Sequence, residues 1–387
     1  MPGLKVLLTN FRLAMRTGTE LYVRDVALEL LRRGHSPFIY SPHLGELARE
    51  LSDFTIPVVD DLNQISTQPD IIHGHHHTET ITALLHFPSV PAIYVCHDWY
   101  SPLDRPPDLS RVRRYVAIDQ TCYDKLIYLC AVPEERLRLI HNFVDLERFK
   151  PRAPLPPRPR RALVFSNYAL ESPHLKALRE ACAEAGSTLD VVGSGVEAAS
   201  AQPEKLLGQY DLVFAKGRAA LEAMAVGAAV VIHSGIRYLG PLVTASEVER
   251  LLPLNFGIRT MFPKRLTPEE LKHAAAQEIA RYDASDAAQV SQRIRSLADR
   301  RTTVDELIAL YEEVISENNI QPGIAEMEAD LRAAAAYIRW LSSHMKKEYD
   351  SVNNLTTLRL KRRLVELPVV GKLSHAIARW LASPLAK

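Results

Sequence analysis

The segment Tyr210–Ser234, YDLVFAKGRAALEAMAVGAAVVIHS, holds the residues of this 387-residue chain best arranged for chemistry. An apolar run, Leu212–Phe214, stops at Lys216-Gly217-Arg218, where a helical pattern carrying Glu222 begins. That pattern ends at Gly227, and a second apolar run, Ala229–Ile232, follows. A helix starting on a glycine presents unpaired backbone N–H groups and the positive end of its dipole, which suit a phosphate. Glu222, on the first turns, can accept from sugar hydroxyls; the same pattern also serves as an ordinary βαβ packing unit. Histidines form a second group. His97 follows the apolar run Ala92–Cys96 directly, so it stands at a strand end. There a near-neutral imidazole either serves a ligand hydroxyl or caps the strand. His73, His75, His76 and His77 suggest a metal, yet three adjacent histidines cannot converge on one ion without a strained turn. No metal site is expected; His73 and His75 are expected to line a cleft, and the other two to cap a helix starting near Thr78.

The elements that must position these groups alternate between strand-like and helical patterns, the signature of parallel sheets covered by helices. Strands are expected at Leu4–Thr9, Pro37–Ser41, Asp70–His73, Ala92–Cys96, Tyr115–Ile118 and Leu137–Ile140, with a helix over roughly Thr19–Arg33 ended by Gly34. Lys150–Arg161, KPRAPLPPRPRR, carries five prolines and reads as a linker. A second half restarts at Ala162–Ser166 and continues through Thr188–Val192 to the segment above, and helical patterns dominate from about Thr267 to Glu317. The expected domains are 1–150, a linker 151–161, and 162–318, both α/β, with a ligand cleft where the strand ends face each other.

Composition supports this frame. Hydrophobic residues make up 47%, enough for sizeable cores, and a net charge of +1 argues against a nucleic-acid partner for the chain as a whole. The four cysteines form no CxxC pair, so neither a disulfide framework nor a structural zinc is indicated. The first apolar run is interrupted by Asn10 and Arg12, too early for a signal peptide, and no stretch approaches the length of a spanning helix. A cytoplasmic protein is expected.

Several ordered motifs resemble those of the retaining glycosyltransferases of family-4 type, whose architecture is the two-Rossmann GT-B fold. Gly18-Thr19-Glu20 with YVRDVALELLRRGH after it resembles the family's glycine loop and first helix. PDIIHGH (Pro69–His75) and YVCHD (Tyr94–Asp98) resemble its strand-end histidine motifs. HNFVDLERFKP (His141–Pro151) resembles the segment entering the linker, with Phe143 where the family usually has glycine. EAMAVGAAVV (Glu222–Val231) resembles the nucleotide-binding helix and following strand. The resemblance implies transfer of a sugar from a nucleoside-diphosphate donor on the second domain to an acceptor on the first, with no metal or other cofactor. Glu222 would contact the ribose, Gly217 would let backbone amides approach the donor, Gly18 and Thr19 would form a close loop or merely start a helix, and His97 would sit near the reacting sugar. Two family features are missing. A further glutamate eight positions before Glu222 is replaced by Phe214, and the Arg/Lys pair after the second domain's first strand is replaced by SNYALESPHLK (Ser166–Lys176). Lys216 and Arg218 are positioned either to supply the lost positive charge or to remain solvated. Gly193-Ser194-Gly195 after a strand carries little weight alone.

After Pro322 the pattern changes. Ile324, Met327, Leu331, Ala334, Ile338, Leu341, Met345, Val352 and Leu355 follow steps of three and four, a coiled-coil seam over 319–357 with Glu348 breaking one slot, or a long helix packed on the body. The stretch 358–387 carries seven basic residues against Glu366 alone, with Trp380 and several leucines. It suits an anionic membrane surface, or an acidic protein face. The reading is therefore a glycosyltransferase acting on a cell-surface polysaccharide or lipid-linked acceptor, peripheral at the inner membrane face. Two alternatives accompany it: a degenerate homologue that binds a glycan or nucleotide sugar, and a membrane-associated coiled-coil assembly factor.

Overall fold

The computed structural model describes residues 3–318, apart from 197, 199 and 201, and residues 324–353. The first lobe is built from strands β1 (Lys5–Thr9), β2 (Ser36–Tyr40), β3 (Val58–Val59), β4 (Ile71–Gly74), β5 (Ala92–Cys96), β6 (Val112–Ala117) and β7 (Leu137–Leu139). Its helices are α1 (Gly18–Arg32), α2 (Glu46–Asp53), α3 (His77–His86) and α4 (Gln120–Asp124). The second lobe contains β8 (Arg161–Phe165), β9 (Thr188–Val192), β10 (Leu212–Ala215), β11 (Ala229–His233) and β12 (Leu239–Leu242). Around them lie α5 (Pro173–Glu184), α6 (Pro203–Leu207), α7 (Gly217–Val226), α8 (Val248–Leu251), α9 (Pro268–Ala280) and α10 (Ala284–Leu297), followed by α11 (Arg300–Glu317).

The first sheet is parallel throughout, in the order β3-β2-β1-β4-β5-β6-β7. The second runs β12-β11-β10-β8-β9, with only β12 antiparallel. Both sheets are covered on two faces, so β4, β5, β10 and β11 are buried along their whole length. Strand order reverses between β1 and β4 in one lobe and between β8 and β10 in the other. Ligands of such sheets bind beyond these switch points, at the carboxyl ends of the strands. The loops there carry His75 after β4, Tyr168 after β8 and Lys216 after β10.

The expected strands are present within a few residues. β3 and β12 are additional: each is short and lies at a sheet edge, where the hydrophobic pattern is too brief to read. The larger difference is α11. Expected inside the second domain, it packs against α1 and β5 of the first lobe. Its Glu313 pairs with Arg114 (2.6 Å) and Arg138 (2.9 Å), and Tyr311 reaches His73. The charges that send it there lie on the other partner, so its own pattern does not reveal its destination.

The segment 324–353 forms α12 (Ile324–Asn353), a unit separate from the two lobes. Ile324, Met327, Leu331, Ile338 and Met345 of the expected seam are exposed, whereas Ala334 is buried. The basic stretch 358–387 and seam residue Leu355 lie outside the described residues. Among the described residues no helix is long and apolar enough to cross a membrane.

Candidate functional site

At the end of β10 the chain enters α7 through Lys216, in extended conformation, and Gly217, whose φ of +58° is left-handed. The glycine is needed for that backbone shape. Within the protein a Cβ there would meet nothing nearer than Asn255, 3.9 Å away, so the backbone shape and not protein packing calls for the glycine. Lys216 offers no side-chain cap, so the first turn of α7 keeps its polarity toward the crevice. Its amine lies over the Tyr168 ring, 5.1 Å from the centroid, and makes no ion pair or hydrogen bond among the described residues. Burial lowers its pKa, and the Asp98 carboxylate of the first lobe offsets part of that effect. Lys216 therefore faces the residue next to His97 across the crevice.

Arg218 is placed differently from the expectation. It is buried rather than presented to the crevice, and its guanidinium bonds both Asp25 of α1 and, at 2.8 Å, Glu222 one turn further along α7. Phe143 packs beneath it at 5.7 Å. Its charge is thus already matched by two carboxylates. The two respond oppositely: burial pushes Glu222 up and its pairing only partly compensates, whereas Arg218 and Arg24 hold Asp25 below the ordinary range despite burial. Glu222 is buried, with one oxygen on Arg218 and the other making no hydrogen bond among the described residues. One turn along α1 from Asp25, Glu29 pairs with Arg300 (3.1 Å), which also holds Asp145 (2.6 Å). Two buried ion clusters thus fasten α1 to the start of α7 and the start of α11.

In the first lobe, His97 is half-buried at the end of β5. Its backbone N–H donates to Asp104 (2.8 Å), and its Nε2 lies 2.7 Å from His75 Nδ1. The edge of its ring packs against Tyr22 at 4.7 Å. His73 and His75 do not line the crevice: they are fully buried beneath it, His73 stacked on His75 and bonded to Tyr311 of α11. Nor does His76 cap α3 with its side chain; its ring nitrogen accepts from the Phe11 N–H at 3.0 Å. Among the described residues no group of three potential metal ligands converges. Gly18 starts α1 with open space where a side chain would be, and Thr19 follows it, half-buried. The loop before them is tied down by Glu20, which accepts from the Met15 and Thr17 N–H groups.

The remaining departures also have a place. Phe214 is fully buried in the core between the second sheet and α5 and α9, edge-on to His233. The loop after β8 brings Tyr168 to the crevice, while Lys176 stands on the exposed face of α5. Gly193 and Gly195 permit close packing against that loop, since a Cβ on either would strike the Ser166 or Ala169 carbonyl within 2.3 Å. An apolar cavity of about 250 Å³, which His97 does not line, is formed by Trp99, Tyr128, Leu129 and Ile258 and bounded by the interlobe pair Asp124–Arg259 (2.5 Å). Asp25, Tyr22 and Tyr168 were missed from sequence. A signal existed for the first: Arg24, Asp25 and Glu29 interrupt the apolar face of α1, where only paired charges survive burial.

Fold and site together define a GT-B protein. Residues 16–148, about a third of the chain and confined to the first lobe, match the profile of Glycosyltransferase Family 4. No curated protein matches the sequence. Among solved structures, Anabaena Alr3699/HepE in complex with UDP and glucose is similar at 17% identity and a TM-score of 0.57, over 80% of this chain and 100% of that one. A glycosyltransferase from Rickettsia africae ESF-5 is similar at 15% and 0.56, over 81% and 99%. A Listeria monocytogenes protein assigned as a UDP-N-acetylglucosamine 2-epimerase is similar at 14% and 0.51, over 81% and 97%. These likenesses establish the fold.

Removing Asp25 leaves Arg218 facing only the carboxylate whose charge burial disfavours. Asp25→Ala should cost about 3–5 kcal/mol in urea unfolding, and Glu222→Gln distinctly less; equal losses would show that the interlobe pair is not what counts. Asp104, buried beside His97, is raised by burial from 3.8 to about 7. A carboxyl raised in the folded state stabilises it below the unfolded pKa, and that contribution is lost as pH rises toward 7. Asp104→Asn should accordingly flatten the decline in stability between about pH 4 and 7, measured by thermal unfolding.

Proposed function

We propose that this protein is a glycosyltransferase moving a sugar from a nucleoside-diphosphate donor seated against the second lobe. The observation that carries the reading is Lys216, a half-buried amine with no anionic partner in bonding range at the uncapped start of α7, beyond the β8/β10 switch point. A diphosphate supplies the missing negative charge, and helix-end amides add to its binding. In the reaction, negative charge grows on the departing diphosphate, and groups already pointed there lower the barrier. Arg218 acts here as support for Glu222, keeping one carboxylate oxygen fixed and leaving the other for a ribose hydroxyl. His97 stands on the opposite lobe at the sugar. The apolar cavity lined by Trp99, Tyr128, Leu129 and Ile258 suits the hydrocarbon part of a lipid-linked acceptor, and retention at the anomeric carbon follows the family-4 resemblance.

A second reading, a GT-B protein that binds a nucleotide sugar or glycan without transfer, is favoured by the absence of a cation in the loop after β8 and by the engagement of Arg218. Calorimetry with UDP, GDP and their sugars, followed by assay of donor turnover, separates the two. Transfer requires both binding and turnover; binding without turnover selects the second reading, and no binding by any nucleotide defeats transfer and leaves glycan binding or the assembly-factor alternative. Lys216→Ala should weaken binding of the preferred nucleotide by about 1.5–3 kcal/mol, the worth of a charge-assisted hydrogen bond.

The exposed seam of α12 supports pairing with a second copy or another protein as a coiled coil. Together with the basic stretch 358–387 it supports peripheral attachment at an anionic membrane. Truncation after Asn354 should release the protein from anionic liposomes in a flotation assay while leaving nucleotide affinity unchanged. Continued flotation with the liposomes would remove the stretch as anchor.

A further inference from the structure

Three imidazoles stack beneath the crevice, His73 on His75 at 4.5 Å and His75 on His97 at 4.8 Å between centroids. His75 Nδ1 and His97 Nε2 are 2.7 Å apart, so one proton lies between them and one ring donates to the other. Both rings are neutral, since burial holds each well below its ordinary range, with the Arg218 guanidinium adding to the effect at His97. Only two arrangements of protons are then available.

In the first, His97 donates through Nε2. His75 must then carry its own proton on Nε2, a nitrogen that is buried and has no partner. In the second, His75 donates through Nδ1, and its Nε2 keeps only a lone pair. A buried N–H without an acceptor is rarer and more costly than an under-used acceptor. The second arrangement therefore prevails. It leaves His97 with its proton on Nδ1, a nitrogen that has no partner among the described residues and is not among the buried, unsatisfied atoms. The surroundings hold the ring in place: Tyr22 packs against its edge, and Asp104 fixes its backbone N–H.

We infer that His75 is a positioning residue which, through its Nδ1–H, fixes His97 as the Nδ1–H tautomer and so presents a hydrogen-bond donor, not a base, to the ligand in the crevice. This inference rests on the transferase reading for what the donor meets: an oxygen of the nucleotide sugar, either a sugar hydroxyl or a phosphate. In that setting His97 stabilises an oxygen and takes no proton.

The tautomer is measurable without turnover, so its failure is distinct from a failure of the functional reading. Long-range ¹H–¹⁵N spectra of the ¹⁵N-histidine-labelled full chain, assigned with His97→Gln, should show Nδ1 of His97 protonated and Nε2 bare. His75→Asn, which keeps an N–H near the Nδ1 position, should retain that pattern. His75→Leu should lose it, and should weaken binding of the preferred UDP- or GDP-sugar at least fivefold relative to His75→Asn. A wild-type spectrum with His97 protonated on Nε2 overturns the inference, as does an unchanged tautomer in His75→Leu. Should His75→Leu fail to fold, the wild-type and His75→Asn spectra still decide the matter.

Discussion

The structure depends on one buried guanidinium. Arg218 lies at the start of α7 with Glu222 on its own helix and Asp25 on the first helix of the other lobe, all three withdrawn from water. Such a charge is tolerated only where carboxylates match it, and removing one partner costs far more than the pair contributes. The same helix α1 meets a second arginine, Arg300, through Glu29. Asp25–Arg218 therefore ties α7 of the second lobe to α1 near the crevice, and Glu29–Arg300, one turn along, ties α11 to the same helix.

This arrangement sorts the crevice into groups that are committed and groups that are available. Arg218, Asp25 and one oxygen of Glu222 are committed to each other. Phe143, which departs from the glycine usual in the family-4 pattern, fills the space beneath Arg218. Lys216, the α7 amides that follow Gly217 (whose own N–H donates to the Phe256 carbonyl at 3.2 Å) and the open nitrogen of His97 are available. Positive charge and hydrogen-bond donors thus remain where a nucleotide sugar is proposed to sit, although the arginine expected to help bind it serves as scaffold.

The fold was legible because its cause is local. Apolar runs of strand length alternate with helical periods, and five prolines mark the break between lobes. β3 and β12 were missed because two to four edge residues carry no such period. The placement of α11 on the first lobe depends on Arg114, Arg138 and His73, far away in the chain. The site was legible as a set of positions rather than as partnerships. Gly217, Glu222, Lys216 and His97 do converge on the interlobe region, but spacing alone could not show that Arg218 is neutralised by a residue 193 positions earlier. Nor could it show that His75 sits under His97 instead of beside the ligand. Long-range ion pairs and ring stacking decide which polar groups remain free.

The central claim is that a diphosphate sits at the start of α7, facing His97. A crystal structure of the full chain with UDP tests this most directly. The account predicts density for both phosphates against the Arg218 and Ala219 amides, within reach of the Lys216 amine, with the Asp25–Arg218–Glu222 contacts intact. Phosphate density elsewhere, or a complex in which Arg218 leaves Asp25 to take the phosphates, would contradict it.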